Sequence, residues 1–485
     1  MATMRTGERY LCALRDHRDV IINGDAVTDV TSHSALRGSA KSIAALLDLH
    51  HDSGTRDELM TTCPRTGEDI PWSYALATDA AGVGARGRSF DVIARATAGL
   101  MGRSPDFLAT LLASWYASSE VFGRRDARFA DHVVAYYHHA RQHNLCHTHA
   151  ISDPPRDRYQ GDEGEPLTLR KTGESEAGIV VRGMKMLATL APVADALLVY
   201  PFRPLAPAEA DQALAFALPI DTPGLRLLCR DPLARDARLF DAPLSERFDE
   251  MDALCVFDDV VVPWDHVFIN GDVELANALR RETGMTTYQW HQSSVRAAVK
   301  AELLLGVASL LARVSGRDRQ APTRVMLGEM AAMAETLRSL VTAAEALASP
   351  GPGGYHVPAT APLGSSSVLS STFFPRMNEF LQLIGSSGLI MRPSEADLSG
   401  PAASLLCDYF SGQVLNAYEH AALLRLASEL TVGEFGGRHL LYERFYLGPP
   451  DVLKERFLQL ADTEKAEEFA RGWLVLPGAK KDDGN

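Results

Sequence analysis

The hydrophobic period of this chain changes twice, and that double switch limits the possible folds more than any single motif does. Up to His149 the apolar residues recur near the helical period, at 10–14, 39–49, 90–99, 105–122 and 130–143. Pro154-Pro155 then breaks the chain. Short runs bounded by Gly, Pro or Asp follow at 178–181, 196–200, 213–218, 225–229 and 253–257, as strands of a small sheet or barrel should. This region ends near Pro263-Trp264 and Gly271. From Leu275 the pattern is helical again, with strong helices expected over 293–314 and 324–348. A Pro/Gly/Ser-rich loop is expected at 349–367, then helices around 373–383 and 408–434. One early exception, 19–30, reads as a hairpin turning at Asn23-Gly24-Asp25. The order helix, strand, helix predicts a mainly α protein with a central β domain. The expected units are an N-terminal α-helical domain over 1–150, a middle β domain over 151–274 and a C-terminal helical bundle over 275–485.

With 485 residues, 46% of them hydrophobic, the chain can bury a large core. Its formal net charge of −14 argues against a nucleic acid or an anionic membrane surface as partner. The cysteines (Cys12, Cys63, Cys146, Cys229, Cys255 and Cys407) are scattered, with no CxxC pair. That is neither a disulfide framework nor a zinc or iron–sulfur pattern, and reduced thiols in the cytoplasm are expected. No signal peptide and no membrane span are expected from the apolar runs.

Several motif-like stretches have ordinary readings. Gly82-Val83-Gly84-Ala85-Arg86-Gly87 fits GxGxxG literally, but residues 74–81 before it are not strand-like. A flexible loop is therefore expected instead of a dinucleotide site. His138, His139, His143, Cys146, His147 and His149 form a His-rich tract whose spacing fits no usual ligand frame, so no metal is expected. The tract reads as surface histidines with one or two functional ones. There is no G-x-S-x-G elbow. Glu250, Asp252, Asp258 and Asp259 flank an apolar strand and read as turn and edge charges.

Two stretches have more chemical content. Residues 101–107 (Met-Gly-Arg-Ser-Pro-Asp-Phe) read as a helix start, with Ser and Pro at the entry and Asp in the first turn. Arg103 then points back toward whatever precedes the helix. His147-Thr148-His149, if extended, puts two imidazoles on one face. Together they suggest a pocket that holds an anionic or phenolic oxygen between a guanidinium and an imidazole. Arg103 taken alone is more usually a solvent-facing or salt-bridged arginine.

On these residues the chain resembles the 4-hydroxyphenylacetate 3-hydroxylase family, the oxygenase component of two-component flavin monooxygenases. The resemblance runs almost end to end. It includes RTGERYL at 5–11, VTDVTSH at 27–33, residues 101–107, Thr148-His149 and GIVVRGMKM at 178–186. It continues through Ala188-Thr189, LSERFDEMDALCVFDDVVVPW at 244–264, FGGR at 435–438 and LYERF at 441–445. The resemblance implies an acyl-CoA-dehydrogenase-like fold with a C-terminal four-helix bundle, in a homotetramer. It implies reduced FAD (FADH2) delivered by diffusion from a separate NAD(P)H:flavin reductase, with O2 as co-substrate and a flavin C4a-hydroperoxide as oxidant. The product would be a hydroxylated, phenolic aromatic, free or carrier-tethered, and a role in secondary metabolism is expected.

The resemblance assigns Arg103 and His149 as catalytic residues. It places Ser104, Phe107, Phe202 and Arg203 with them on the substrate. It places His149, Ser152, Pro155, Arg156, Arg158, Thr189, Gly448, Pro449 and Pro450 on the flavin. A dry, enclosed site fits an oxidant that water would destroy. Two departures stand out. Where phenol-hydroxylating members carry a tyrosine that joins the Arg and His, this chain has Phe107. Between Pro154 and Arg158 the loop also differs from the family pattern. The alternatives are a CoA-ester dehydrogenase-like flavoenzyme on the same fold, which needs a Glu base, and a binding protein with a dead flavin pocket.

Overall fold

The computed structural model describes residues 4–155 and 167–474. The N-terminal part is mainly helical: Gly7–Ala13, Arg37–Asp48, Ala80–Ala96, Pro105–Ala117 and Arg128–His143. The central part holds two sheets. In the six-stranded sheet the order is Asp25–Ala26, Asp19–Ile22, Leu225–Cys229, Asp252–Pro263, Gly178–Thr189 and Arg170–Glu174. The four-stranded sheet runs Val267–Asn270, Leu214–Pro219, Ala196–Val199, His147–Ala150. Thus the hairpin expected at 19–30 does form, but it serves as the edge of the central sheet. Asp19–Ile22 pairs in parallel with Leu225–Cys229.

The C-terminal part is built on Met285–Val314, Ala321–Ala346 and Thr360–Gly385, with Ala417–Thr431 and Glu434–Phe445 packed beside them. The 30-residue helix Met285–Val314 is buried on nearly every side through its first half. An amphipathic stripe is therefore absent there, and sequence periodicity recognised the helix only from residue 293. Pro105–Ala117 is similarly enclosed. Truncating a large, fully buried side chain on it, such as Trp115, costs about 3–5 kcal/mol.

Three local expectations are corrected. The glycines at 82, 84 and 87 lie inside the helix Ala80–Ala96, not in a flexible loop. Asp79 caps that helix by accepting from the Gly82 N–H. A Cβ on Gly87 would meet Glu345 Oε1 at 1.8 Å, so a larger residue there would displace the Glu345 side chain. The loop expected at 349–367 ends at Ala359, because Thr360–Gly385 forms one helix, with Pro375 inside it. The stretch 408–434 is interrupted by a non-helical segment ahead of Asn416. The Asn416 side chain caps the next helix by accepting from the Glu419 N–H.

Candidate active site

Arg103 enters from a turn, Gly99–Ser104, that demands small residues. Gly99 has φ +69°, and a Cβ on it would meet the Arg296 carbonyl oxygen at 2.7 Å. A Cβ on Gly102 would lie 1.8 Å from the Tyr442 hydroxyl, so only glycine lets Tyr442 cross here. Ser104 stands at the N-cap and Pro105 at the first helical position, as the sequence suggests. The Ser104 hydroxyl, however, turns to Gln292 (3.3 Å) instead of capping, and the same Gln292 amide donates to buried Asp106 at 3.2 Å. Burial pushes the Asp106 carboxyl up to about 6, against those hydrogen bonds.

His149 arrives on the strand His147–Ala150, all four residues of which are buried. Arg103 Nε donates to His149 Nε2 at 3.1 Å, and His149 Nδ1 lies 2.8 Å from the Tyr200 hydroxyl. Burial, then the positive charges of Arg103 and Arg280, holds the His149 imidazole well below its ordinary value, so it is neutral at pH 7. A neutral ring that accepts at Nε2 carries its proton on Nδ1, which donates to Tyr200. Only His149 of the His-rich tract reaches Arg103. His147 pairs with Tyr136 (3.0 Å), and His139 and His143 lie against each other on their helix.

The Arg103 guanidinium is stacked between two rings, its Cζ 4.5 Å from the Phe107 centroid and 4.4 Å from that of Tyr446. Nη1 donates to the Tyr442 hydroxyl at 3.2 Å. Burial pulls Arg103 down, but Tyr442, Tyr446 and Glu250 outweigh it, and the side chain stays charged. No carboxylate pairs with the guanidinium among the described residues. Glu250 accepts the Arg103 backbone N–H instead, at 2.8 Å. The side chain is thus a fixed cation, well placed for an incoming anionic oxygen.

Behind this pair lies a charge network that sequence reading placed wrongly on a strand edge. Glu250 is fully buried and sits 3.6 Å from Arg438. Arg438 grips Asp252 in bidentate fashion (2.8 and 2.9 Å), and Arg230 reaches the same carboxylate at 2.9 Å. These cations overcome burial and hold Asp252 down to about 2. Asp258 and Asp259 are exposed, but they lie within the strand Asp252–Pro263 at a break in its register between Phe257 and Val260, not in a turn. Asp252 also accepts the Thr189 hydroxyl at 2.7 Å. With its proton committed, Thr189 presents only lone pairs and can accept from a ligand N–H. A neutral reduced isoalloxazine carries ring N–H groups at N1 and N5 that the oxidised form lacks, so an accepting Thr189 hydroxyl fits a reduced flavin.

The other expected site residues divide in two. Phe202 and Gly448 come together: a Cβ on Gly448 (φ +126°) would lie 3.9 Å from both the Phe202 ring and Arg456 Nη1. Pro449 caps and Pro450 starts the helix Pro450–Leu460. Arg203 does not join the site. It is exposed, and its guanidinium is held by Glu209 and Gln212 and lies 3.3 Å from Asp153. Ser152 binds Met186 through its main chain, Pro155 is exposed, and Arg156 and Arg158 lie outside the described residues. Sequence reading missed Tyr200, Tyr442 and Tyr446. The last two stand four apart on a helix edge, a spacing that puts both on one face.

No free base for a CoA-ester dehydrogenase appears near this site among the described residues. Glu443 is locked by Arg296 (2.8 and 2.9 Å) and Lys300 (2.8 Å), which hold it down to about 2 against burial. Glu250 is committed to Arg103 and Arg438. Among the described residues no group of three or more His, Cys, Asp or Glu is placed to hold a metal ion. No helix there is long and apolar enough to cross a membrane.

Comparison with known proteins gives concordant matches. The family model described as 4-hydroxyphenylacetate 3-hydroxylase N terminal matches residues 6–269, and its C-terminal counterpart matches 276–474. The 4-hydroxyphenylacetate 3-monooxygenase oxygenase component of Thermus thermophilus is 37% identical over 474 residues, covering 97% of both chains. A crystal structure of such an oxygenase component, complexed with FAD and 4-hydroxyphenylacetate, superposes with a TM-score of 0.92 at 37% identity, covering 97% of this chain and 98% of that one. An archaeal 4-hydroxybutyryl-CoA dehydratase from N. maritimus matches with a TM-score of 0.86 at 21% identity, over 98% of this chain and 96% of its own. It shows that the fold is the acyl-CoA-dehydrogenase-like one.

Proposed function

The chain belongs to the 4-hydroxyphenylacetate 3-hydroxylase family, and from that premise we propose that Arg103, oriented by His149, holds the ring oxygen of a phenolic substrate during hydroxylation. The protein is the oxygenase component of a flavin-dependent monooxygenase that uses reduced FAD and O2. One observation carries the assignment of the site. The Arg103 guanidinium is clamped between Phe107 and Tyr446, has no carboxylate partner on its side chain among the described residues, and adjoins a neutral imidazole.

Reduced FAD, when bound, supplies the electrons that activate O2 and thereby an oxygen atom for the ring. The chain's own residues supply the rest. Arg103 stabilises the charge that develops on the phenolic oxygen as the ring is attacked. His149 stays neutral, accepting from Arg103 at Nε2 and donating from Nδ1 to Tyr200, and so keeps the guanidinium in a single orientation. Tyr200, with its oxygen receiving that proton, is free to donate its own hydroxyl proton to a ligand. Phe107 and Tyr200, almost fully buried, keep water from the reacting atoms. Thr189 and His149, with Gly448, Pro449 and Pro450, would hold the flavin.

A separate reductase delivers the reduced flavin, by diffusion and from NAD(P)H in this reading. The protein is a homotetramer. Support comes from the large apolar side chains left exposed in its C-terminal part, among them Ile390, Met391, Leu405, Tyr409, Phe469 and Trp473. Six free cysteines accord with a reducing cytoplasm.

The test is anaerobic titration with reduced and oxidised FAD, then exposure to O2 with a panel of phenols. Tighter binding of reduced FAD and formation of catechols are expected. Equal binding of the two forms, with hydrogen peroxide as the sole product across the panel, would sink the proposal.

A further inference from the structure

Buried Thr189 and Asp252 are cross-strand partners. The antiparallel register of Gly178–Thr189 with Asp252–Pro263 sets them opposite each other at the end of the pair. The Leu190 N–H closes that end by donating to the Met251 carbonyl at 2.7 Å. The Thr189 carbonyl accepts the Thr148 hydroxyl, which ties it to the strand that carries His149. The Thr189 main chain is thus held from both sides, and only its hydroxyl rotor is left open. Asp252 sets that rotor, because the hydroxyl donates to Oδ1 at 2.7 Å.

A hydroxyl has one proton and two lone pairs, so what it offers a ligand depends on where the proton goes. The Asp252 carboxylate can only accept. Its Oδ2 takes Arg438 Nε at 2.8 Å and Arg230 Nε at 2.9 Å. Its Oδ1 takes Arg438 Nη2 at 2.9 Å beside the Thr189 hydroxyl. These three guanidinium bonds keep the carboxylate ionised and in one orientation. The Thr189 proton is therefore kept from turning toward a ligand. That has a consequence at N1 and N5 of an isoalloxazine, which carry N–H in the neutral reduced ring and bare lone pairs in the oxidised one. An acceptor-only hydroxyl bonds the first and sets lone pair against lone pair with the second, and in a buried site water cannot relieve the mismatch.

We propose that Asp252, held by Arg438 and Arg230, is a positioning residue that fixes the Thr189 hydroxyl as an acceptor and so makes the site select reduced over oxidised FAD. This rests on the hydroxylase reading above and adds how the chain's own residues choose the redox state they load. The selectivity lies in hydrogen-bond polarity, so an amide in place of the carboxylate should reverse it. In Asp252→Asn the amide oxygen best replaces Oδ2, where two arginines donate. The amide nitrogen then faces Thr189 and donates to it, which releases the Thr189 proton to a ligand acceptor.

The test is an anaerobic titration of the full chain with oxidised FAD and with dithionite-reduced FAD, without any phenol, together with the midpoint potential of the bound FAD. The unaltered protein should bind reduced FAD at least about tenfold more tightly than oxidised FAD. Its bound FAD should then have a potential above that of free FAD by about 30 mV for each tenfold of preference. Asp252→Asn should weaken reduced FAD and tighten oxidised FAD, cutting the ratio by at least about tenfold. Thr189→Val leaves the arginine contacts of Asp252 in place and is the safer variant for folding; it should weaken reduced FAD alone. Thr189→Ser should keep the ratio. A network that only braces the fold would weaken both forms equally in Asp252→Asn, and an unchanged ratio there and in Thr189→Val would overturn the selector. Equal affinity of the unaltered protein for the two forms would also overturn it; that result is expected if Thr189 meets the isoalloxazine N3–H, which both forms carry. In those cases formation of a catechol on later addition of O2 and a phenol would still uphold the hydroxylase reading. Binding of neither form would overturn both.

Discussion

Replacing Arg103 with methionine tests the core of the proposed chemistry, and its size can be worked from the contacts. Among the described residues the guanidinium has no carboxylate partner on its side chain, so its charge is available to the substrate oxygen. A preorganised donor aimed at developing charge contributes about 2.7–4 kcal/mol to the transition state. At about 1.36 kcal/mol per tenfold, Arg103→Met should lower the hydroxylation rate about 10²–10³-fold. Flavin reoxidation does not need the substrate oxygen and should continue, so electrons should go to hydrogen peroxide instead of product. Folding should change little. Two ring contacts of about 0.5–2 kcal/mol each are lost, while a largely buried cation is also removed. Arg103→Lys keeps the charge but loses the Nε bond to His149 and the planar stacking, and should fall between the two. The assay measures product and peroxide together with a saturating independent reductase, and the melting temperature alongside. Unchanged coupling in Arg103→Met would refute the oxygen-holding role. A collapse in melting temperature would assign Arg103 to the fold instead.

Three further outcomes are expected. Phe107→Tyr places a hydroxyl between Arg103 and His149, and turnover of simple phenols should rise several-fold; no change on any phenol would show that this position does not set substrate choice. Asp106 has a carboxyl raised to about 6, so its contribution to stability is present below its unfolded value near 4 and is lost as pH rises through 6. At pH 8 its ionised form costs about 3 kcal/mol, and Asp106→Asn should raise the melting temperature there but not at pH 4; equal gains at both pH values would contradict the assignment. Glu443, held to about 2, contributes about 3 kcal/mol above pH 4.5, and that contribution fades as pH falls through 2. Glu443→Gln leaves Arg296 and Lys300 buried without an anion and should destabilise by about 3–5 kcal/mol at pH 7, with partial rescue by Lys300→Met; a neutral effect would mean that the network is not structural.

The alternation of helix, sheet and helix was legible because each layer buries one face, and a one-sided burial pattern prints its period on the sequence. Where burial is two-sided the period disappears. That is why the start of Met285–Val314 was missed; Gly82–Gly87 resembled a loop for another reason, its three glycines, although it lies in the helix Ala80–Ala96. Arg103 and His149 were legible as local signals, a helix start and a short buried strand. The residues that give them meaning were not. Glu250 and Asp252 looked like edge charges, because a carboxylate's burial depends on whether a cation from a remote segment reaches it. Here Arg438, 186 positions away from Asp252, does so.

The sequence by itself determined the layer order, the arginine–histidine pair and the kind of chemistry the chain supports, since all of these depend on contiguous residues. Tertiary structure alone decided which charges are neutralised and which are left open. Asp252, Glu250 and Glu443 are occupied, while among the described residues Arg103 has no carboxylate partner. Charge pairing acts over a few ångströms in space between residues hundreds apart in the chain, so no local pattern can encode it.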